Sequence, residues 1–408
     1  MIVLAGATIV LPERVISGGS LIVDGERIVA VEAGIVDTPQ GAERVEVTGT
    51  TIVPGFVDVH VHGVEGHDVL DGVGAVARVA ARLPRYGVTS FCPTSVACDP
   101  LTLQLMLEEV SSLAREAVGG AARVLPAHLE SNFINPAYKG AQPLDCLRTF
   151  RFTPRGSPAP ERTAGPTFSG EEILATIAHH RGEVGIVTLA PELEGGLDLV
   201  QQLAARGHRV SIGHSGATYE ETRAAIDAGV SHATHLFNRM SPMTHRAPGA
   251  PGAVLESERV RAELICDGFH VHPALINLAL RAKGAGGIMV ITDGTAGSGL
   301  PIGSRTRLGA QTILVTSRTA ELEDGTLAGS ILTMEMAFRG LVQQYGVSIV
   351  DAARLCATTP AEQMGLADCG RIAVNAMADL VVLDPSLRVR STYVRGRLWR
   401  NPGAAPLV

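Results

Sequence analysis

Residues 54–63 read PGFVDVHVHG, and this stretch decides the fold. A short run of apolar, β-branched residues ends on two histidines separated by a single position. Alternate side chains of an extended strand share a face, so His60 and His62 point the same way and can chelate one ion between them. A lone buried histidine satisfied within a core is common. Two in register at a strand end are not, and the rest of the chain repeats the arrangement.

Seven further apolar runs follow: VTSFCPT, VLPAHLE, GIVTLAPE, RVSIGHS, HATHLF, AELICDGFH and IMVITDG. They alternate with longer stretches of helical periodicity such as GVGAVARVAARLPRYG, ETRAAIDAG and HPALINLALRAKG. This alternation predicts βα units around a parallel sheet, and eight strands suit a closed (β/α)8 TIM-like barrel over residues 54–364. The runs end on His60 and His62, Thr94, Glu130, Glu192, His214, His235, Asp267 with His270, and Asp293. In such a barrel the C-terminal strand ends form one mouth, so these side chains are expected to converge.

Outside that region, residues 1–53 and 365–408 share a different grammar of short β-rich runs broken by glycine and acidic turns. We expect both ends to join in one small, discontinuous β-sandwich domain with an antiparallel sheet. The segment RTFRFTPRGSPAPERTAGPTFSG breaks the rhythm between the third and fourth runs. At about 25 residues it exceeds usual βα loops and reads as an insertion, at about 146–170, that is either an ordered excursion over the barrel mouth or a mobile loop.

With 46% hydrophobic residues and 46 glycines, the chain can bury a large core and must make many tight turns. A net charge of -7 and the lack of a basic run exclude a nucleic-acid footprint, leaving a small molecule as the expected partner. Cys92, Cys98, Cys146, Cys266, Cys356 and Cys369 are scattered without a CxxC pair, which argues against a thiolate zinc site and a disulfide framework. There is no leader-like N-terminus and no apolar run of spanning length, so a soluble, cytoplasmic protein without a membrane partner is expected. KGAGG and GTLAGS lack a phosphate-loop lysine, and GTLAGS reads as a tight turn with a helix cap.

Imidazole and carboxylate ligands without thiolates suit a divalent transition metal, with Zn²⁺ the default and Fe²⁺, Mn²⁺ or Co²⁺ as alternatives. His60, His62, Glu130, His214, His235 and Asp293 suffice for one ion, or for two lying about 3.5–4 Å apart. His128 lies two residues before Glu130 on the same strand face and is expected to support the site or the core. His67, His179, His180 and His208 fall in turn or helix contexts and are expected to be solvated.

Taken with HLESNFINPAYKGAQP, TLAPE, GHSGATYEETRAAIDAGVSHATHLFNRMSPMTHRAPG, DGFHVHP, ITDG and LAGSILTMEMAFRGLV, the opening motif resembles the N-acetylglucosamine-6-phosphate deacetylases of the amidohydrolase superfamily over nearly the whole chain. The resemblance implies hydrolysis of an acetamide on an amino sugar phosphate, and commonly a homodimer whose neighbour helps close the phosphate site. It implies that Glu130, His214 and His235 bind the main metal, that His60 and His62 can hold a second, and that Asp293 transfers the proton. It also matches Arg246 and Asn238 to the phosphate and His270 to the sugar. Four positions depart from the pattern: Ser131 and Asn132 replace a glycine and a proline, Gln142 replaces a carbonyl-polarising histidine, and Arg239 replaces a small residue near the phosphate. These leave open a sister deacetylase acting on another N-acyl amino sugar, such as N-acetylgalactosamine-6-phosphate. A barrel that binds without catalysing is the reading from another class, and retention of every candidate ligand counts against it.

Overall fold

The computed structural model describes residues 1–115, 119–150 and 168–399. Most of the anomalous Arg/Pro/Gly insertion therefore lies outside the described residues. All eight expected strands form: β1 (Phe56–Val61), β2 (Val88–Ser95), β3 (Ala127–Glu130), β4 (Val184–Leu189), β5 (Arg209–Ile212), β6 (Val230–Ala233), β7 (Arg261–Ile265) and β8 (Ile288–Ile291). Each pairs in parallel with the next. The sheet closes where Val61 bridges Gly294 and the Asp293 N–H donates to the His60 carbonyl at 2.9 Å. The result is the TIM-like barrel the alternation predicts.

β1 and β2 are buried along their whole length, as strands covered on both faces must be. Helices Ala75–Ala80, Pro100–Arg115, Gly170–His179, Gly196–Ala205, Tyr219–Ala228, Gly249–Glu256 and Pro273–Gly287 follow the strands. Thr218 starts one of them with a capping box: its hydroxyl accepts from the Glu221 N–H at 3.1 Å, and the Glu221 carboxylate accepts from the Thr218 N–H at 2.8 Å. At the foot of β1, Phe56 stacks on Phe338 with ring centroids 5.2 Å apart. Gly87 closes beneath it at φ 83°, where a Cβ would stand 2.7 Å from the Phe56 ring. That position demands glycine twice over, by dihedral and by space.

Both chain ends do meet in one eight-stranded sheet, because Leu380–Leu383 pairs with Thr51–Pro54. Leu4, Ile9, Leu21, Ile28, Ile52, Leu380 and Val382 give it a core of its own. The sheet is mixed rather than antiparallel. Ile2–Val10 runs parallel to Glu43–Glu46 and to Thr51–Pro54, since the connection after Arg27–Glu32 carries the chain back to re-enter in the same direction.

A further sheet, not anticipated from sequence, lies between β8 and helix Met334–Gln343: Arg305–Leu308, Gln311–Val315 and Ala320–Glu321, paired antiparallel. Its strands are short and mix apolar with polar positions, so they lack the continuous apolar signature of the barrel strands. His180 and His208 are buried, at 8% and 6% exposure, rather than solvated. His208 is drawn in where its Nδ1 meets the Val184 carbonyl at 2.9 Å, at the start of β4. No helix among the described residues is long and apolar enough to cross a membrane.

Replacing Phe56 by alanine removes a fully buried ring that little around it can replace. We expect it to cost about 3–5 kcal/mol, read as a shift of the denaturant midpoint in equilibrium unfolding, with Phe56→Leu costing clearly less.

Candidate metal centre

Six side chains from five strand ends meet in one buried pocket. Glu130 Oε1 lies 2.7 Å from His214 Nε2 and 2.9 Å from His235 Nε2, and the two imidazole nitrogens are 3.1 Å apart. Beside them, His60 Nε2 and His62 Nε2 are separated by 3.3 Å, with Asp293 Oδ1 at 3.4 Å and 3.2 Å from them. Glu130 spans both groups: its Oε2 lies 3.6 Å from His62 Nε2.

The outer nitrogens decide what the inner ones offer. His62 Nδ1 faces the Thr94 carbonyl at 2.9 Å, His214 Nδ1 the Tyr138 carbonyl at 2.8 Å, and His60 Nδ1 the Glu263 carboxylate at 2.8 Å. Each of those partners accepts, so each Nδ1 carries a proton and each Nε2 is left facing the pocket, where a proton or a metal ion can take its lone pair. His235 Nδ1 has no partner among the described residues. Lone pairs and carboxylate oxygens that crowd to about 3 Å in a buried pocket repel one another unless a cation lies among them. The donor set therefore fits one divalent ion at Glu130, His214 and His235, and a second at His60, His62 and Asp293.

The electrostatics agree. Burial alone would raise the Glu130 pKa, but the imidazoles of His214 and His235 outweigh it and hold the carboxylate well below its usual range. Burial likewise acts to lower the His60 pKa, yet Glu263, Asp293 and Glu130 push it up to about 10. The field of the pocket favours positive charge.

Three of the candidate ligands sit in the left-handed region, His214 at φ 47°, His235 at φ 30° and Asp293 at φ 49°. Such backbone costs non-glycine residues on the order of 1–3 kcal/mol each and persists where surrounding structure enforces it. Around Asp293 the enforcer is the LAGS segment. Ser330 donates its N–H to the Asp293 carbonyl at 2.7 Å and its hydroxyl to the Thr292 carbonyl at 2.5 Å. The segment is thus a buttress for Asp293, and the helix cap expected within it falls instead on Thr333, ahead of Met334–Gln343.

Gln142 reaches the same pocket. Its Oε1 accepts from the Ala97 N–H at 2.8 Å, which forces its NH₂ toward Glu130 Oε2, to which it donates. Asn238, Arg239 and His270 line the cavity with it. His270 Nδ1 pairs with Asp267 Oδ2 at 2.6 Å, leaving Nε2 without a partner among the described residues. Burial opposes the imidazolium there, but Asp267 outweighs it and raises the His270 pKa. Arg239, at φ 52°, lies so close over Gly140 that a Cβ there would stand 2.9 Å from its Nε. Leu308 of the small antiparallel sheet and Leu327 complete the wall.

Other expected positions are not brought to the cavity. Ser131 is buried, its hydroxyl donating to the Thr188 carbonyl at 2.5 Å. Asn132 spends its amide on the carbonyls of Cys98 and Cys146, at 2.8 and 2.7 Å. Arg246 is exposed and stands apart from the cavity lining. Glu192 clamps the loop after β5, accepting from Ser215 Oγ at 2.7 Å and the Gly216 N–H at 2.6 Å. His128 bonds the Val59 carbonyl at 3.0 Å and Thr188 Oγ1 at 2.7 Å, a core role. The residue a survey of strand ends overlooks is Glu263, fully buried in the middle of β7. Its signal was a carboxylate inside an apolar run, which is costly unless paired.

Gly329→Ala tests the buttress. A Cβ there would meet the Thr295 methyl at 2.7 Å and the Asp293 carbonyl oxygen at 2.9 Å, at φ 57°. We expect a loss of about 2–4 kcal/mol in unfolding measurements from dihedral strain plus overpacking, accompanied by a fall in metal occupancy of the purified protein.

Comparisons with known proteins identify the family. The amidohydrolase family profile matches residues 51–399. The chain is 34% identical over 366 residues to the N-acetylglucosamine-6-phosphate deacetylase of Lysinibacillus sphaericus, covering 88% of each. It is 33% identical over 349 residues to the N-acetylgalactosamine-6-phosphate deacetylase of Escherichia coli O157:H7, covering 85% of this chain and 87% of that one. A solved structure of a variant N-acetyl-D-glucosamine-6-phosphate deacetylase from Mycobacterium smegmatis, in complex with N-acetyl-D-glucosamine-6-phosphate, superimposes with a TM-score of 0.84 at 32% identity, covering 97% of this chain and 98% of that one. The chain belongs to the amidohydrolase family, in the group of the N-acetylglucosamine-6-phosphate deacetylases.

Proposed function

We propose that this protein hydrolyses the acetamide of N-acetylglucosamine-6-phosphate, releasing acetate and glucosamine-6-phosphate. The observation that carries the reading is the convergence of Glu130, His214 and His235 on one point, with Asp293 and the Gln142 amide facing the same cavity. A divalent ion held there, zinc by default and iron, manganese or cobalt as alternatives, supplies Lewis acidity that lowers the pKa of water toward neutrality and polarises a carbonyl.

The chain's own groups divide the remaining work. Asp293 takes the proton from the attacking water and returns it to the leaving amine, which a carboxylate fixed at the cavity wall can do in both directions. Gln142 donates a neutral hydrogen bond to the carbonyl oxygen as charge develops on it, its amide already oriented by Ala97. The free Nε2 of His270 meets a sugar hydroxyl. Asn238 and Arg239 stand on the adjoining wall, where a guanidinium suits a phosphate through its bidentate fork. In the homodimer we propose, Arg246 remains free on its own surface to serve the neighbour's phosphate. A cytoplasmic site of action fits such a phosphorylated substrate.

The galactosamine epimer is the second reading, favoured by Arg239 and Gln142 at positions facing the substrate. Acetate release should be fastest with N-acetylglucosamine-6-phosphate in a panel that includes its galactosamine isomer and both unphosphorylated sugars. No turnover of the glucosamine compound sinks the first reading. Chelation should abolish activity and added divalent metal restore it. Asp293→Asn should lower kcat by about 10²–10⁴-fold, as loss of an acid–base group does, measured on metal-reconstituted protein.

A further inference from the structure

Glu263 has no solvent exposure and lies beneath the pocket rather than in it. Its Oε2 faces His60 Nδ1 at 2.8 Å and accepts the His235 backbone N–H at 3.1 Å. Its Oε1 faces His232 Nε2 at 2.8 Å, with His128 Nδ1 at 3.5 Å. One carboxylate thus touches a candidate ligand from each of the two donor groups, His60 by its ring and His235 by its backbone.

We infer that Glu263 is the positioning residue that makes His60, His62 and Asp293 a second metal position, and that this chain is thereby committed to two ions. The inference rests on the proposed metal-dependent reading of the pocket and extends it to a residue that touches no ion. A carboxylate behind an imidazole fixes the ring's orientation and tautomer. With its Nδ1–H given to Glu263, His60 must offer the Nε2 lone pair to the point it shares with His62 Nε2, 3.3 Å away. Without that acceptor, His60 is free to move its proton to Nε2 and donate it to Asp293 Oδ1, now 3.4 Å away, which closes the position to a cation. Charge points the same way. Glu130, Asp293 and Glu263 gather three buried carboxylates around these imidazoles, a field that favours added positive charge at the His60 side of the pocket.

The test counts ions. Metal-free protein is titrated with Zn²⁺ against a competing chelator, and ions per chain are measured by elemental analysis after desalting. Wild type should take up two. Glu263→Leu, which leaves His60 Nδ1 without an acceptor, should take up one, with the Glu130 position filled at unchanged affinity. Glu263→Gln keeps an acceptor oxygen and should recover the second ion at about 10–100-fold weaker affinity, the usual range for loss of such a partner. In a His60→Asn background, Glu263→Leu should change nothing further. Circular dichroism and melting temperature report whether each variant folds. If Glu263→Leu does not fold, the Gln variant decides: an unchanged second-ion affinity overturns the proposal. Wild type at two ions with Glu263→Leu also at two refutes the role of Glu263 alone. Saturation of wild type at one ion refutes the two-position reading itself, and uptake of none refutes the metal-dependent function beneath it.

Discussion

Five strand ends deliver lone pairs to one place, and the rest of the structure answers to the repulsion this creates. Glu130 Oε1 within 2.9 Å of two imidazole nitrogens, and two more imidazole nitrogens 3.3 Å apart beside it, form a costly arrangement in a buried pocket unless a cation holds it together. The barrel supplies the rigidity that keeps these atoms close. Parallel pairing fixes the strand ends in register, and left-handed turns at His214, His235 and Asp293 aim the side chains inward. The carbonyls of Thr94 and Tyr138 and the carboxylate of Glu263 then fix the histidine tautomers from behind.

Much of this was legible in the sequence because barrel strands and their ends carry strong signals. Buried parallel strands are short, continuous apolar runs, and an ionisable residue that ends such a run stands out. That grammar locates all eight strands and all six candidate ligands without reference to distance. It also brings both termini into one sheet, since their turn-punctuated β runs differ from the barrel's pattern.

What it misses has a physical pattern too. The sheet spanning Arg305–Leu308 to Ala320–Glu321 packs Leu308, Ile313 and Ala320 against Val96, Ala141 and Ala328 in a small cluster, and its brief runs of mixed polarity resemble loops in the sequence. Glu263 escapes a search of strand ends because it acts from mid-strand, through a histidine that β1 supplies. Ser131 and Asn132 sit beside a ligand in sequence yet turn their polar atoms into the scaffold, where Thr188, Cys98 and Cys146 take them up. Adjacency along the chain does not decide which face of a turn a side chain joins. Gln142, in contrast, has its amide orientation set by the Ala97 N–H, a backbone contact across 45 residues that no local pattern carries. The substrate-facing differences are therefore fewer than the sequence alone implies, and they concentrate on Gln142 and Arg239.

The central claim is that the pocket is built around a metal ion bridged to protein by Glu130. Anomalous diffraction from crystals of the purified protein, recorded on both sides of the absorption edge of the metal found in it, tests this directly. The account predicts a peak about 2.0–2.2 Å from Glu130, His214 Nε2 and His235 Nε2. An anomalous map without a peak there, from protein that actively releases acetate, would contradict it.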